Sequence, residues 1–329
     1  METNIQDNVQ NSFSAAGFAQ EHPLARDVLK QRPEWLAAAG ALAGQAPAQL
    51  PKPVVQGIKA LHTVKGRQET GLILAEGHNA LQEAFNSGFS PLFWIVDASR
   101  KDDYRTLERV SSQDFSGQHF SGQHFSRPIL LGGEQLARLT TTESSPGCLA
   151  IFERPEALPL EAFLQGKQSL LVLAGLQDPG NAGTLIRSAR AFGFDGLVTT
   201  PGTVDVWSPK VIRSSAGLVF GVPACPCSES LETILEWVVT QGVSVCLTSS
   251  HVQPQSQPYT AFSWPARCAL VLGNEGAGLP VARMPAQTQW ITIPTEAACE
   301  SLNVAVAGSI LMAARYNAVS SNTGSSSRL

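Results

Sequence analysis

Five short apolar runs constrain this chain most: residues 170–173 (LLVL), 196–199 (GLVT), 243–248 (VSVCLT), 269–272 (ALVL) and 290–293 (WITI). Each is too short for a buried helix and is bounded by turn residues, so each reads as a strand. Strands apolar on both faces must be covered on both faces, and helical patterns lie between most of them. That combination predicts a parallel sheet with helices on either side. Upstream, 71–77, 92–96 and 148–152 read as strands, alternating with helical patterns at 79–87, 104–110 and 134–139. They predict a separate, small α/β domain.

The 329 residues suffice for two domains. Residues 1–50 are rich in Ala, Gln and Asn, with short helical patterns at 23–30 and 34–42 but no core-forming stripe. They read as an appendage, partly disordered. The small domain then runs over 51–153, a linker with two prolines over 154–168, the sheet domain over 169–318 and a disordered tail over 319–329. Val54, Val55, Ile58 and Leu61 recur at helical spacing among Lys59, His62, Lys65 and Arg67. This is the densest basic stretch of the chain, so Lys59, Lys65 and Arg67 are candidate phosphate contacts.

A net charge of −4 does not advertise a nucleic-acid binder. Of the 23 basic residues, however, 16 are Arg and 7 Lys, and Arg grips phosphate in a fixed geometry. The six cysteines include no CxxC pair, and Cys225-Pro-Cys227 is too tight for a zinc knuckle. They read as reduced core residues, no metal site is expected, and the compartment reads as the cytosol. No apolar run reaches the length of a membrane span. No basic-then-apolar start suggests a secretory signal. The tandem FSGQH repeat at 115–124 carries His119 and His124, but a Gly/Ser-rich repeat reads as an exposed loop.

Three stretches carry chemistry. The first, 177–193, follows a strand with Asp178-Pro-Gly-Asn181, then a helix with Leu185, Ile186, Ala189 and Phe192 buried and Arg187 and Arg190 on the polar side. Asp178 or Asn181 caps it and Gly193 ends it. Arg187 stands about two turns from the strand's carboxyl end, where open α/β sheets bind ligands. The second is Gly273-Asn274-Glu275-Gly276-Ala277-Gly278, whose glycines suit a loop that wraps a ligand closely. The third runs from Ile291-Thr-Ile293-Pro294 to Ser301-Leu302-Asn303, with Ser301 as the expected helix cap. The glycines at 175, 180 and 183 do not make a dinucleotide fingerprint, which argues against a nucleotide-dependent oxidoreductase with a doubly wound sheet.

In this order and at these distances, the three stretches resemble the SpoU/TrmH family of RNA ribose 2′-O-methyltransferases, within the SPOUT superfamily. The family pattern is N-x-G-x-x-x-R, then L-G-x-E-G-x-G, then I-P and S-L-N-V-x-V-A, and all three stand here nearly intact. Residues 208–217, with Arg213, resemble the family's connector. The chain departs from the pattern at Thr295, Glu296 and Glu300. The resemblance implies a Rossmann-like sheet with a C-terminal trefoil knot, preceded by an L30e-like RNA-binding domain, in a homodimer. It implies S-adenosylmethionine (SAM) as methyl donor, held by Gly273, Asn274, Gly276, Ile293 and Leu302. Arg187, Glu275 and Asn303 would be catalytic, and Asn181, Arg213 and Ser301 would join Lys59, Lys65 and Arg67 on RNA. A guanidinium stays protonated, so Arg187 is expected to stabilise the developing alkoxide rather than act as a base. Ribosomal RNA is the expected substrate and transfer RNA the alternative. The competing class is an RNA-binding or ribosome-assembly factor that keeps this fold without catalysis.

Overall fold

The structure, a computed structural model, describes residues 33–105, 107, 127–142, 145–248, 255–274, 278–279, 284–285, 288–296 and 301–322. The FSGQH repeat, Glu275, Gly276 and Glu300 lie outside the described residues. The chain divides into two units. The first runs to Arg154 and includes Trp207–Pro209; the second holds Pro155–Val206 and the chain from Lys210 onward.

In the first unit, α1 (Glu34–Gly40), α2 (Lys52–Ala60) and α3 (Val64–Thr70) precede β1 (Leu72–Glu76), α4 (His78–Asn86), β2 (Phe93–Asp97), β3 (Ile129–Leu131), α5 (Gly133–Ala137) and β4 (Cys148–Glu153). The sheet order is β1-β4-β2-β3, with β3 parallel to β2 and the other pairings antiparallel. β1 and β2 are buried along their whole length. One face packs on Val54, Ile58 and Leu61, and on the other Phe85 sits edge-on to Trp94 and Phe152. Helix α1 is no appendage, because Leu36 and Ala39 enter this core.

Arg67 requires a correction. Helix α2 stops at Leu61, and Thr63 starts α3 afresh by accepting the Gly66 N–H at 3.0 Å. The break resets the helical phase and turns Arg67 inward. Its side chain is buried, 1% exposed, and Nη1 donates to the Leu61 carbonyl at 2.9 Å. It cannot reach RNA. Lys59 and Lys65 are exposed, Lys65 beside Glu69 at 3.7 Å.

The second unit holds α6 (Leu160–Leu164), β5 (Ser169–Leu173), α7 (Pro179–Ala191), β6 (Gly196–Thr199), α8 (Pro209–Ser214), β7 (Ala224–Pro226), α9 (Leu231–Thr240), β8 (Ser244–Thr248), β9 (Gln257–Pro258), β10 (Cys268–Leu272), β11 (Gln289–Thr292) and α10 (Val304–Asn322). The strands order as β7-β6-β5-β10-β8-β11-β9, and every pairing is parallel. The expected linker is partly structural: Phe163 and Leu164 of α6 are buried in the core. From β5 the chain builds outward through β6 and β7, then returns to the other side through β8, β10 and β11. The order therefore reverses between β5 and β10, and a crevice opens there at the carboxyl ends.

Candidate active site

Two strand ends meet at that crevice. Leu173 pairs with Leu272, and the Ala174 N–H donates to the Leu272 carbonyl at 2.9 Å. Gly175 follows at φ +68°; its N–H lies 3.0 Å from both Thr200 Oγ1 and Thr203 Oγ1. Its carbonyl accepts from Asn274 Nδ2 at 2.9 Å. Asn274 and Gly278 then exchange backbone hydrogen bonds of 3.3 and 3.0 Å, closing the glycine loop on itself. Gly278 turns at φ +67°. Gly273 is needed for space instead: a Cβ there would lie 2.6 Å from the Gly278 oxygen.

Helix α7 leaves the same edge. Asp178 Oδ1 caps it by accepting the Asn181 N–H at 2.7 Å, and Gly193 follows its last turn at φ +71°. Asn181, Thr184 and Arg187 form an outward ridge at three-residue spacing. Arg187 is exposed, and its guanidinium has no hydrogen-bond or ion-pair partner among the described residues. Helix α8 packs on the first turns of α7: the Ser214 hydroxyl donates to the Pro179 carbonyl at 2.8 Å, and a Cβ on Gly183 would overlap Ser214 and lie 2.7 Å from the Ser215 nitrogen. Arg213, half-buried, sits on that helix.

The third strand end closes the arrangement. β11 stands two strands from β10, about 10 Å away at ordinary strand spacing. Ile293 and Leu302, both half-buried, flank the segment that leaves it. Asn303, after that segment, lies against α7, where its Nδ2 donates to Asn181 Oδ1 at 3.0 Å. Asn303 Oδ1 also accepts the N–H groups of Ala305 at 2.9 Å and Val306 at 3.2 Å. Asn303, not Ser301, is thus the cap of α10; exposed Ser301 stands before the helix. Further along, the hydroxyls of Ser188 and Ser309 are 2.7 Å apart and the rings of Phe192 and Tyr316 5.9 Å apart. Contacts ascending in both helices mean that α7 and α10 run side by side in one direction. Gly308 permits this, since a Cβ would strike Leu185 and lie 2.6 Å from Leu272 Cδ1. Two capped helix starts therefore share one edge.

The structure joins Asn181, Asn274, Gly273 and Asn303, with Arg187 on the α7 ridge and Arg213 on the neighbouring helix. Lys59 and Lys65 belong to the first unit. Motif reading missed Gly175, Thr200 and Thr203, which hold the loop's anchor point. The only sequence signal for them was a turn directly after an apolar strand.

Residues 168–313 match the model of the SpoU rRNA methylase family, and residues 52–150 match the MRM3-like substrate binding domain. A tRNA/rRNA methyltransferase of Synechocystis is 32% identical over 269 residues, covering 79% of this chain and 89% of the relative. The chain belongs to the SpoU rRNA methylase family. Another relative, the 23S rRNA (guanosine(2553)-2′-O)-methyltransferase RlmP of Bacillus subtilis, is 31% identical over 256 residues, covering 77% and 92% of the two chains. Among solved structures, the AdoMet-bound rRNA methyltransferase of Sinorhizobium meliloti superposes with TM-score 0.68 at 25% identity, over 83% of this chain and 97% of that one. The SpoU match spans all three stretches that build the crevice.

Proposed function

We propose that this chain methylates a ribose 2′-hydroxyl in RNA, with ribosomal RNA as substrate and SAM as donor. The observation that carries the reading is the Asn303–Asn181 bond, which ties the segment after β11 to the helix of Arg187 at the carboxyl edge. Membership of the SpoU family supports it, as does a relative named for 2′-O-methylation of 23S rRNA and a structural neighbour described as AdoMet-bound.

The residues fit the donor. Where the loop closes, Gly273 offers backbone only, and Ile293 and Leu302 leave apolar surface partly uncovered. Such a set holds an adenosine through backbone groups and apolar contact. Gly273, Asn274, Gly276, Ile293 and Leu302 would hold SAM, which supplies an electrophilic methyl group on its sulfonium.

The chain's own work is positioning and charge. Arg187 stabilises the oxygen as its proton leaves and pairs with a neighbouring phosphate. Glu275 or an oxygen of that phosphate takes the proton. Asn303 positions, through Asn181, the ridge that carries Arg187. The positive ends of α7 and α10 favour the anionic backbone. Asn181, Arg213 and Ser301 contact the target nucleotide, and Lys59 and Lys65 contact RNA from an L30e-like first unit.

Family resemblance, with Asn303 held against α7 after β11, supports a trefoil knot. Family resemblance supports a homodimer. The described residues contain no helix long and apolar enough to cross a membrane, and the reading places the enzyme in the cytoplasm with its RNA. The test is mass spectrometry of nucleosides from a deletion strain. One 2′-O-methylated nucleoside should vanish from ribosomal RNA and return with the wild-type gene but not with Arg187→Ala. An unchanged profile in ribosomal and transfer RNA, with no SAM binding by calorimetry, would favour the assembly-factor class.

A further inference from the structure

A groove of about 230 Å³ opens in the first unit between α2, α5 and β3. Its floor is apolar, made by Val55, Leu131 and Leu139, and its rim carries Lys59 and Arg138, both exposed. No carboxylate lines it among the described residues. Gln135 supplies the polar wall. Its Nε2 donates to the Ala48 carbonyl.

Beside it lies a second groove of similar volume, lined by Lys101 and Arg127, again without a carboxylate. The two flank one feature. The chain at 44–45 lies along the edge strand β3, with the Leu130 N–H donating to the Gln45 carbonyl at 2.9 Å and the Gly44 N–H to the Pro128 carbonyl at 3.1 Å. Gly44 lines one groove and Gln49 the other. Five residues of chain hold them within roughly 18 Å. Four cations therefore edge one short path.

We propose that the first groove receives one unpaired base of the RNA, with its flanking phosphates on Lys59 and Arg138 and the strand continuing to Lys101 and Arg127. An unpaired base matches the groove: an apolar face for the floor and a phosphate on either side for the cations. The Arg138 guanidinium can also stack on the base plane. A paired base cannot enter, because its edge and both faces are occupied. The proposal rests on RNA being the substrate and names where the substrate-binding unit reads single-stranded chain.

The test uses the full-length protein and a short single-stranded RNA of mixed sequence carrying 4-thiouridine, with its duplex form as control. Ultraviolet cross-links should map to peptides containing 49–59 and 131–139, for the single strand and not the duplex. Val55→Trp fills the groove at a partly buried position and should weaken binding per folded molecule by roughly ten- to a hundredfold, with the folded fraction read from thermal melting. Lys59→Ala with Arg138→Ala should lower the slope of log affinity against log salt by about 1.4. Cross-links elsewhere, or a Val55→Trp protein that binds like wild type, would overturn the groove even if ribosomal RNA is still methylated. Groove cross-links in a protein that methylates no RNA would leave the groove standing and remove the methyltransferase reading.

Discussion

Asn303 performs two tasks that two substitutions can separate. Its Oδ1 caps α10 and its Nδ2 reaches Asn181 at 3.0 Å. Asn303→Ala removes both. Loss of the cap costs about 1 kcal/mol and loss of the side-chain hydrogen bond about 1 kcal/mol more. Roughly 2 kcal/mol should lower the melting temperature of a domain this size by about 4–8 °C. Asn303→Asp keeps an oxygen over the first N–H groups and adds a negative charge at the positive helix end, worth about 0.3–1 kcal/mol. It should melt within about 2 °C of wild type. It loses the donor, however, and sets a carboxylate oxygen against Asn181 Oδ1. The segment carrying Leu302 then parts from α7, and misplacement by about 1 Å costs on the order of a hundredfold in rate. Thermal melting and transfer of tritiated methyl from SAM to unmodified ribosomal RNA read the two effects. An Asn303→Asp protein with wild-type stability and wild-type rate would refute the positioning role. An Asn303→Ala protein as stable as wild type would refute the cap.

Arg187→Ala should lower methyl transfer by roughly a hundredfold or more while calorimetry shows SAM binding intact; exposed Arg187 should cost less than about 0.5 kcal/mol of stability. Gly183→Ala should destabilise by about 3 kcal/mol in urea unfolding, because its Cβ would press on Ser214 and the Ser215 nitrogen. Arg67→Ala should cost about 2–4 kcal/mol of stability, and filter binding should show RNA affinity per folded molecule unchanged. A weaker RNA complex from a fully folded Arg67→Ala protein would restore the surface role that its burial denies.

The parallel sheet was legible because uninterrupted apolar runs have few other homes: 170–173 and 269–272 lie side by side at its centre, buried throughout. Short strands at the margins, β7 and β9, carry too few residues to show a period, and the edge strand β3 escaped notice for the same reason. Arg67 was misplaced because residues 54–67 were read as one helix, whereas Thr63 caps a second and shifts the phase. Prolines at 155 and 159 suggested a linker, yet Pro159 starts α6 and the next turn buries Phe163. At the site, Arg187 and Asn303 came from motif spacing. The bond between Asn303 and Asn181 spans 122 residues, and no local pattern encodes a contact that distant. Gly308 reads as a weak point in an apolar helix and turns out to let α10 lie against α7 and β10.

On the proposed function the methyl group goes to a ribose 2′-oxygen. Alkaline hydrolysis tests it directly, because cleavage of an RNA linkage needs a free 2′-hydroxyl. Ribosomal RNA from a deletion strain, treated with purified protein and tritiated SAM, should yield its label in alkali-resistant dinucleotides. Label recovered in mononucleotides would place the methyl on a base and contradict ribose methylation.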